Sequence, residues 1–226
     1  MITPVEEVLA TLDTLVQAGK VRHIGFSDVP AWYVARAQTL AEQQGRERIA
    51  ALQLEYSLVE RTIEREHIPA AQELGIAICP WSPLAGGFLS GKYKRGAQPG
   101  PTDGRLEIQK ASGTTIFERY TERNWKVLDV LLDVSKQIGR PPAEVALNWA
   151  ATQPGVTSTI IGATKLAQLE SNLSSLDFTI PAELRAGLDT VGEPDPTAQP
   201  YAFFTPTLQA RVKGNAAIRA WARSSH

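Results

Sequence analysis

The chain has 226 residues, 43% hydrophobic and 21% charged, an ordinary balance for a globular protein with one large domain and a substantial core. Its 23 Lys and Arg against 24 Asp and Glu give a formal net charge of −1, so composition offers no electrostatic pull toward nucleic acid or an anionic membrane. The single Cys79 excludes an internal disulfide and a cysteine-cluster zinc site, no apolar run nears the ~18 residues of a membrane span, and MITPVEEV does not read as a signal peptide, so the expectation is cytoplasmic.

Thr3 as a cap, Pro4 at the first helical position and Glu6 three residues after the cap predict a helix over Pro4–Ala18, stopped by Gly19. Val5, Val8, Leu9, Leu12, Leu15 and Val16 give it one apolar face, which calls for a sheet to lie on. Val21–Ser27 reads as a short strand with Gly25 and Ser27 on one face and Ile24 and Phe26 on the other. Asp28 can cap a helix over Pro30–Gln44, with Gly45 as its stop. The second strand is Ala51–Ser57. Its Gln53, Glu55 and Ser57 share one face, a polar line that suits the lining of a site better than packed core.

A helix ends at Leu74 and Gly75, and Ile76–Pro83 is the third strand. A long irregular segment follows, about Leu84–Ile116, rich in Gly, Pro, Lys and Arg. A connection of that length in a compact domain is usually functional or mobile. Phe117–Ile138 reads as a long helix with Trp125, Leu128, Leu131, Leu132 and Ile138 as its buried stripe. Pro142–Gln153 is a shorter helix, Thr157–Gly162 a fourth strand, and Lys165–Leu173 and Pro181–Val191 two further helices. The tail after Gly192 shows no clear period apart from a final helix near Ala216–Arg223. Alternating strands and helices predict a parallel sheet with right-handed crossovers. Periodicity leaves two forms open, a small open sheet or half of an eight-stranded barrel.

Three runs carry a resemblance: Gln53-Leu54-Glu55-Tyr56-Ser57, Ile68 to Ile76 (IPAAQELGI), and Trp81 to Lys92 (WSPLAGGFLSGK). Two more stand at matching places, Gly19 to Asp28 (GKVRHIGFSD) and Ile161-Gly162-Ala163-Thr164 with Gln168 and Asn172. Together, over roughly Thr3 to Phe178, they resemble the aldo-keto reductase superfamily, in particular its bacterial and potassium-channel β-subunit-like branch. The resemblance implies an α/β fold of the TIM type, a (β/α)8 barrel that binds NADP(H). The strands present would then be the last four, β5–β8, of a single oxidoreductase domain over residues 1–226, truncated at its N-terminal half. A whole barrel takes ~250 residues.

By the same resemblance, Ser27, Asp28 and Gln53 stand where the family holds the nicotinamide carboxamide, Asp28 replacing the usual Asn. A carboxylate only accepts, whereas an amide also donates. Trp81 matches the aromatic that stacks on the nicotinamide ring. Ser82, Pro83, Leu84, Gly86 and Leu89 match the loop over the pyrophosphate, with Lys92 at its end. Gly162, Ala163, Thr164, Gln168 and Asn172 match the segment around the 2′-phosphate and adenine, where Lys165 could add charge and Ser171 replaces a common acidic residue. The physical logic stands by itself. Small residues let backbone N–H groups approach phosphate, a helix start near Lys165 favours an anion, and an indole offers a flat apolar face.

Blander readings stay open beside these. Trp81 also suits a core position, Gln53 and Glu55 suit satisfied interior polar groups, and Gly86, Gly87 and Gly91 suit ordinary turns. The family's Asp, Tyr, Lys and His that move the proton lie in the other half of the barrel. His23, His67 and His226 and the tyrosines at 33, 56, 93, 120 and 201 match none of their contexts, so no catalytic residue is assigned, and no metal ligand.

The reading is an aldo-keto reductase transferring hydride between NADPH and a small-molecule aldehyde or ketone, present as a fragment with most cofactor contacts. The alternatives are a non-catalytic NADP(H)-binding or scaffold module that pairs with another chain, and another phosphate-ligand barrel. Unpaired strand edges would favour self-association.

Overall fold

The computed structural model describes residues 3–96, 118–195 and 198–204, with positions 104, 106 and 211. Strands and helices alternate first: α1 (Val5–Gln17), β1 (Ile24–Ser27), α2 (Ala31–Gln44), β2 (Ile49–Glu55), α3 (His67–Leu74) and β3 (Ala77–Trp81). A 3-10 stretch, Ala85–Ser90, is kinked at Gly86 and Gly87. The helices α4 (Glu122–Ile138), α5 (Pro142–Ala151), α6 (Leu166–Ser174) and α7 (Ala182–Val191) follow.

The strands form one parallel sheet in the order β1-β2-β3, as alternation requires when helices serve as crossovers. α2 and α3 stop at Gly45 and Gly75, whose φ of 61° and 67° lets the next residue's amide bond back to the helix. Gly25 answers a different need. A β-carbon there would lie 2.7 Å from the Ala51 carbonyl oxygen, beside the register shift between Ile24 and Gly25.

The two sheet faces have opposite characters. Ile24, Phe26, Leu52, Leu54, Ile78 and Pro80 are buried under the helices. On the other face, Gly25 and Ser27 of β1, Ala51, Gln53 and Glu55 of β2, and Ala77, Cys79 and Trp81 of β3 are exposed or half-buried. The period-2 alternation puts the apolar set inward and leaves the small and polar set open.

Several local expectations need correction. The fourth strand, Thr157–Gly162, is not a strand. Residues 157–160 run beside β3, with the amides of Thr157 and Ser158 donating to Ile78 O (2.9 and 3.3 Å) and that of Ile160 to Pro80 O (2.8 Å). Pro80 has no N–H to donate back and the Ile78 amide turns to Thr157 Oγ1 (3.3 Å), so the reciprocal half of the ladder is missing. The sheet has three strands among the described residues, not four.

Thr3 and Glu6 do not form a capping box. Pro4 occupies the cap position without a side-chain bond, and Glu6 instead pairs with Arg36 of α2. Asp28 does not cap α2, which begins after Pro30. β2 ends at Glu55, and Ser57 is wholly buried in a bridge with Glu60 rather than lining the open face. α4 starts at Glu122 because Thr121 caps it, accepting from the Asn124 amide at 3.2 Å. Its buried stripe includes Val127 and Val134, while Leu132 is 39% exposed. The irregular segment beyond residue 96 and the final helix near Ala216–Arg223 lie outside the described residues.

α4 packs against α5 and α7, and α5 against α6. Polar bonds hold α7 to α5 and, through Arg123 of α4, join its end to the segment after β2. Trp149 Nε1 donates to Asp189 Oδ1 (2.7 Å), and Arg123 donates to the Val59 and Gly192 carbonyls (3.0 and 2.8 Å). No described helix is long and apolar enough to cross a membrane.

Candidate cofactor-binding site

Parallel register sets the site. Ser27 pairs with Gln53 and Gln53 with Cys79, while Glu55 pairs with Trp81, so these five side chains fall in two adjacent rows near the C-terminal ends of the strands. One row back lie Gly25, Ala51 and Ala77. The result is a low floor of small residues with a polar and aromatic rim. In parallel sheets that end of the strands is where ligands sit. The Gln53 side chain is exposed and makes no hydrogen bond among the described residues, so its amide is free to donate and accept.

Asp28 links the two outer strands. Its backbone amide donates to Gln53 O (3.2 Å), its Oδ2 accepts from Ser27 Oγ (3.1 Å), and its Oδ1 accepts from Trp81 Nε1 (3.1 Å). The last bond fixes the edge of the indole. Asp28 holds φ at 50°, and Ser82 and Ala85 hold 56° and 50°, which are the positive-φ non-glycine residues described. All three sit at or just beyond the strand ends facing this rim. Backbone held in such sparsely populated conformations collects at functional sites.

Glu55 lies beside Trp81 and pairs with Arg119, both side chains largely buried. Burial pushes the Glu55 carboxyl above the usual carboxylate range, against the pull of Arg119, and the Glu60 and Asp28 carboxylates add to the rise. Sequence reasoning missed Arg119, which follows the long irregular segment. The signal available was Glu55 itself, a strand carboxylate in need of a cation.

The loop after β3 departs from one expectation. Its amides do not stand free to meet phosphate. Ala85 N donates to Ser82 O (2.8 Å), Gly86 N to Ser82 Oγ (3.2 Å), and Gly87 N and Leu89 N to Leu84 O (2.9 and 3.2 Å). Pro83 and Leu89 are buried, so they shape the loop from beneath. Lys92 is exposed, lies within 4.8 Å of the Tyr93 ring centroid, and has no ion-pair partner among the described residues.

Gly162, Ala163, Thr164 and Lys165 are exposed and lead into α6. Thr164 donates through its amide and hydroxyl to Gln168 Oε1 (3.0 and 3.2 Å), so Gln168 folds back over the helix start. Ser171 faces away from this segment and donates to Glu144 Oε1 of α5 (2.7 Å). Asn172 is half-buried one residue on. The structure thus brings Ser27, Asp28, Gln53 and Trp81 into one cluster, and Ser82, Pro83, Leu84, Gly86, Leu89 and Lys92 into the adjoining loop. Gly162 to Thr164, Gln168 and Asn172 form a separate group at α6.

Other titratable groups serve the frame. Tyr56 donates to Glu64 Oε1 (2.6 Å), and burial together with the Glu64 carboxylate pushes its hydroxyl well above the ordinary tyrosine range. His67 Nε2 bonds the Val29 carbonyl (2.9 Å), and His23 meets Glu47 at 3.2 Å on the surface. Among the described residues no group of three His, Cys, Asp or Glu could hold a metal ion.

Residues 1–193 match the Aldo/keto reductase family. The chain is 32% identical over 205 residues to the uncharacterized oxidoreductase YrpG of Bacillus subtilis, covering 89% of this chain and 59% of that protein. It is 33% identical over 195 residues to Protein tas of Escherichia coli, covering 83% and 54%. It is 31% identical over 176 residues to a probable voltage-gated potassium channel subunit beta of Oryza sativa subsp. japonica, covering 77% and 53%. The chain spans a little over half the length of these relatives. With the family match running through all three strands and α1 to α7, this chain belongs to the Aldo/keto reductase family.

Proposed function

We propose that this chain carries the nicotinamide end and much of the remaining cofactor surface of an NADP(H)-dependent reductase of aldehydes or ketones. The observation that carries the reading is the Asp28–Trp81 bond beside a free Gln53 amide, over a floor of Gly25, Ala51 and Ala77. An indole fixed by its edge has a set orientation that suits stacking on a flat ring, and an unbonded primary amide suits a carboxamide. When bound, the cofactor supplies the hydride for reduction of a carbonyl to an alcohol. The residues of this chain bind and orient. Ser27 and Gln53 meet the carboxamide, Trp81 bounds the ring, Lys92 offers charge to the pyrophosphate, and Thr164, Lys165 and Asn172 face the adenosine end.

The pyrophosphate contact cannot draw on the amides of Ala85, Gly86, Gly87 and Leu89, which are bonded within the loop. It therefore rests on Lys92 and on side-chain groups. In the same reading the three strands belong to a (β/α)8 barrel, with residues 157–160 running beside β3, and the proton donor for the carbonyl lies in the share of the relatives' length that this chain does not match. Tyr56 supports that, because its hydroxyl is buried, given to Glu64, and outside the open face. A cytoplasmic setting goes with the reading, supported by the free Cys79.

Titration with NADPH, followed by tryptophan quenching and nicotinamide fluorescence, tests this reading. Saturable binding with no turnover of an aldehyde panel is the expected result. No binding of NADPH, with binding of a sugar phosphate, would sink it. Binding without turnover even after the remainder of the family domain is supplied would favour a non-catalytic NADP(H) module.

A further inference from the structure

Asp28 stands apart from its neighbours on the rim by its charge. Both of its carboxylate oxygens accept from neutral donors, Ser27 Oγ (3.1 Å) and Trp81 Nε1 (3.1 Å), and no cation pairs with it among the described residues. The cations nearby are engaged elsewhere. Arg119 is held by Glu55, whose carboxyl also feels Asp28 and Glu60, and Lys92 in the adjoining loop lies against the Tyr93 ring.

Asp28 can act on a bound ring in two ways. As a charge it sets the potential over the rim, where a ring lying on the indole would exclude water and so strengthen the interaction. As an acceptor it draws on the indole N–H. A hydrogen bond to an anion polarises its donor, which leaves the π face richer in electrons, and tryptophan is the aromatic side chain that best attracts a cation. Ser27 gives its hydroxyl hydrogen to Asp28, so toward a ligand it offers lone pairs only. Ser27 and Gln53 suit a carboxamide, and that group is the same in both states of a nicotinamide cofactor. The ring is what differs. Giving a hydride, with both bonding electrons, to a carbonyl carbon takes it from neutral to a full positive charge. A carboxylate and the indole it polarises tell those two rings apart, and a neutral amide at position 28 would not.

We propose that Asp28, directly and through Trp81, makes this site selective for the oxidised cofactor, NADP+ over NADPH. The inference rests on the cofactor reading above and adds which state the site holds more firmly. Tighter binding of the oxidised form lowers the reduction potential of the bound pair by about 30 mV for each tenfold in affinity. The same charge favours the ring as it turns positive during hydride donation, so it stabilises the transition state as well as the oxidised product, and it slows the release of NADP+.

Isothermal titration of the 226-residue chain with NADP+ and, separately, with NADPH in one buffer tests this. NADP+ should bind about tenfold tighter than NADPH. Asp28→Asn keeps an acceptor for the indole and removes the charge, so it should cut the ratio of the two affinities by about fivefold or more, in a variant whose circular dichroism matches the wild type. Trp81→Phe has a ring but no N–H to donate, and should cut the ratio by about two- to threefold while the carboxylate supplies the rest. Equal or tighter binding of NADPH by the wild type would overturn the proposal without any variant, and so would a preference that survives Asp28→Asn. Neither result touches the cofactor reading, which requires only that the cofactor binds. Binding of neither form sinks that reading, and this inference with it.

Discussion

At Asp28 a single side chain joins three parts of the rim, and its removal should be felt in Trp81 before anything else. Asp28→Ala deletes the acceptor for Trp81 Nε1 and frees the indole to turn. The indole N–H resonance of Trp81 should move toward its solvent position, and NADPH should bind about 3- to 10-fold more weakly, the scale of one hydrogen bond. Asp28→Asn keeps an acceptor and should restore most of both. Glu55 makes a prediction in pH. Its carboxyl is raised in the folded chain, so the native state holds that proton more tightly than the unfolded one. The stability it contributes is full below pH 4.5, the ordinary value, and is lost as pH rises through the raised one. Relative to Glu55→Gln, the wild type should lose stability over the window just above pH 4.5 in paired urea titrations. Parallel curves would remove Glu55 from the account.

Elements were legible where periodicity and stop signals agreed. α2 and α3 end at the glycines expected, and Gln53 and Glu55 lie on the face that alternation gave them. Three things were hidden because they depend on contacts distant in sequence. The start of α4 falls after Arg119 and Tyr120, which meet Glu55 of β2 and the Phe88 ring. Pro80 withholds a donor that a run of apolar residues conceals, so Thr157–Gly162 looks like a strand until its partner is known. Asp28 has the composition of a helix cap and is claimed instead by an indole on another strand. The resemblance named candidate residues that the pattern could not, yet it did not reveal that the amides of Ala85, Gly86, Gly87 and Leu89 bond within their own loop. Gly25 gives the element-scale test. Gly25→Ala forces a methyl against the Ala51 carbonyl, which cannot swing aside as a side chain can. A loss of about 1–3 kcal/mol in urea unfolding is expected, the usual cost of overpacking. A loss under a few tenths would mean that β1 and β2 shift apart freely.

For the whole molecule the salient imbalance is on α6. Leu166, Leu169, Leu173 and Leu176, on that helix or just past its end, leave exposed the equivalent of about two full side chains, which is ~3–6 kcal/mol of burial not yet realised. The chain alone should therefore bind an apolar dye such as ANS in its folded form, and Leu169→Lys with Leu173→Lys should reduce that signal by at least half. An unchanged signal would locate the dye elsewhere. The bond pattern at Pro80, where residues 157–160 join β3, has a consequence of its own. Because Pro80 contributes no amide to that join, every backbone-to-backbone bond across it is donated by residues 157–160, and the Ile78 amide meets only the Thr157 side chain. The sheet has a seam whose opening leaves β3 bonded to β2 as before, so it is the boundary of a separately opening unit. In native-state hydrogen exchange the Thr157 and Ile160 amides should open together, at a lower free energy than the amides of β2. Proline, by withholding one hydrogen, decides where this protein first comes undone.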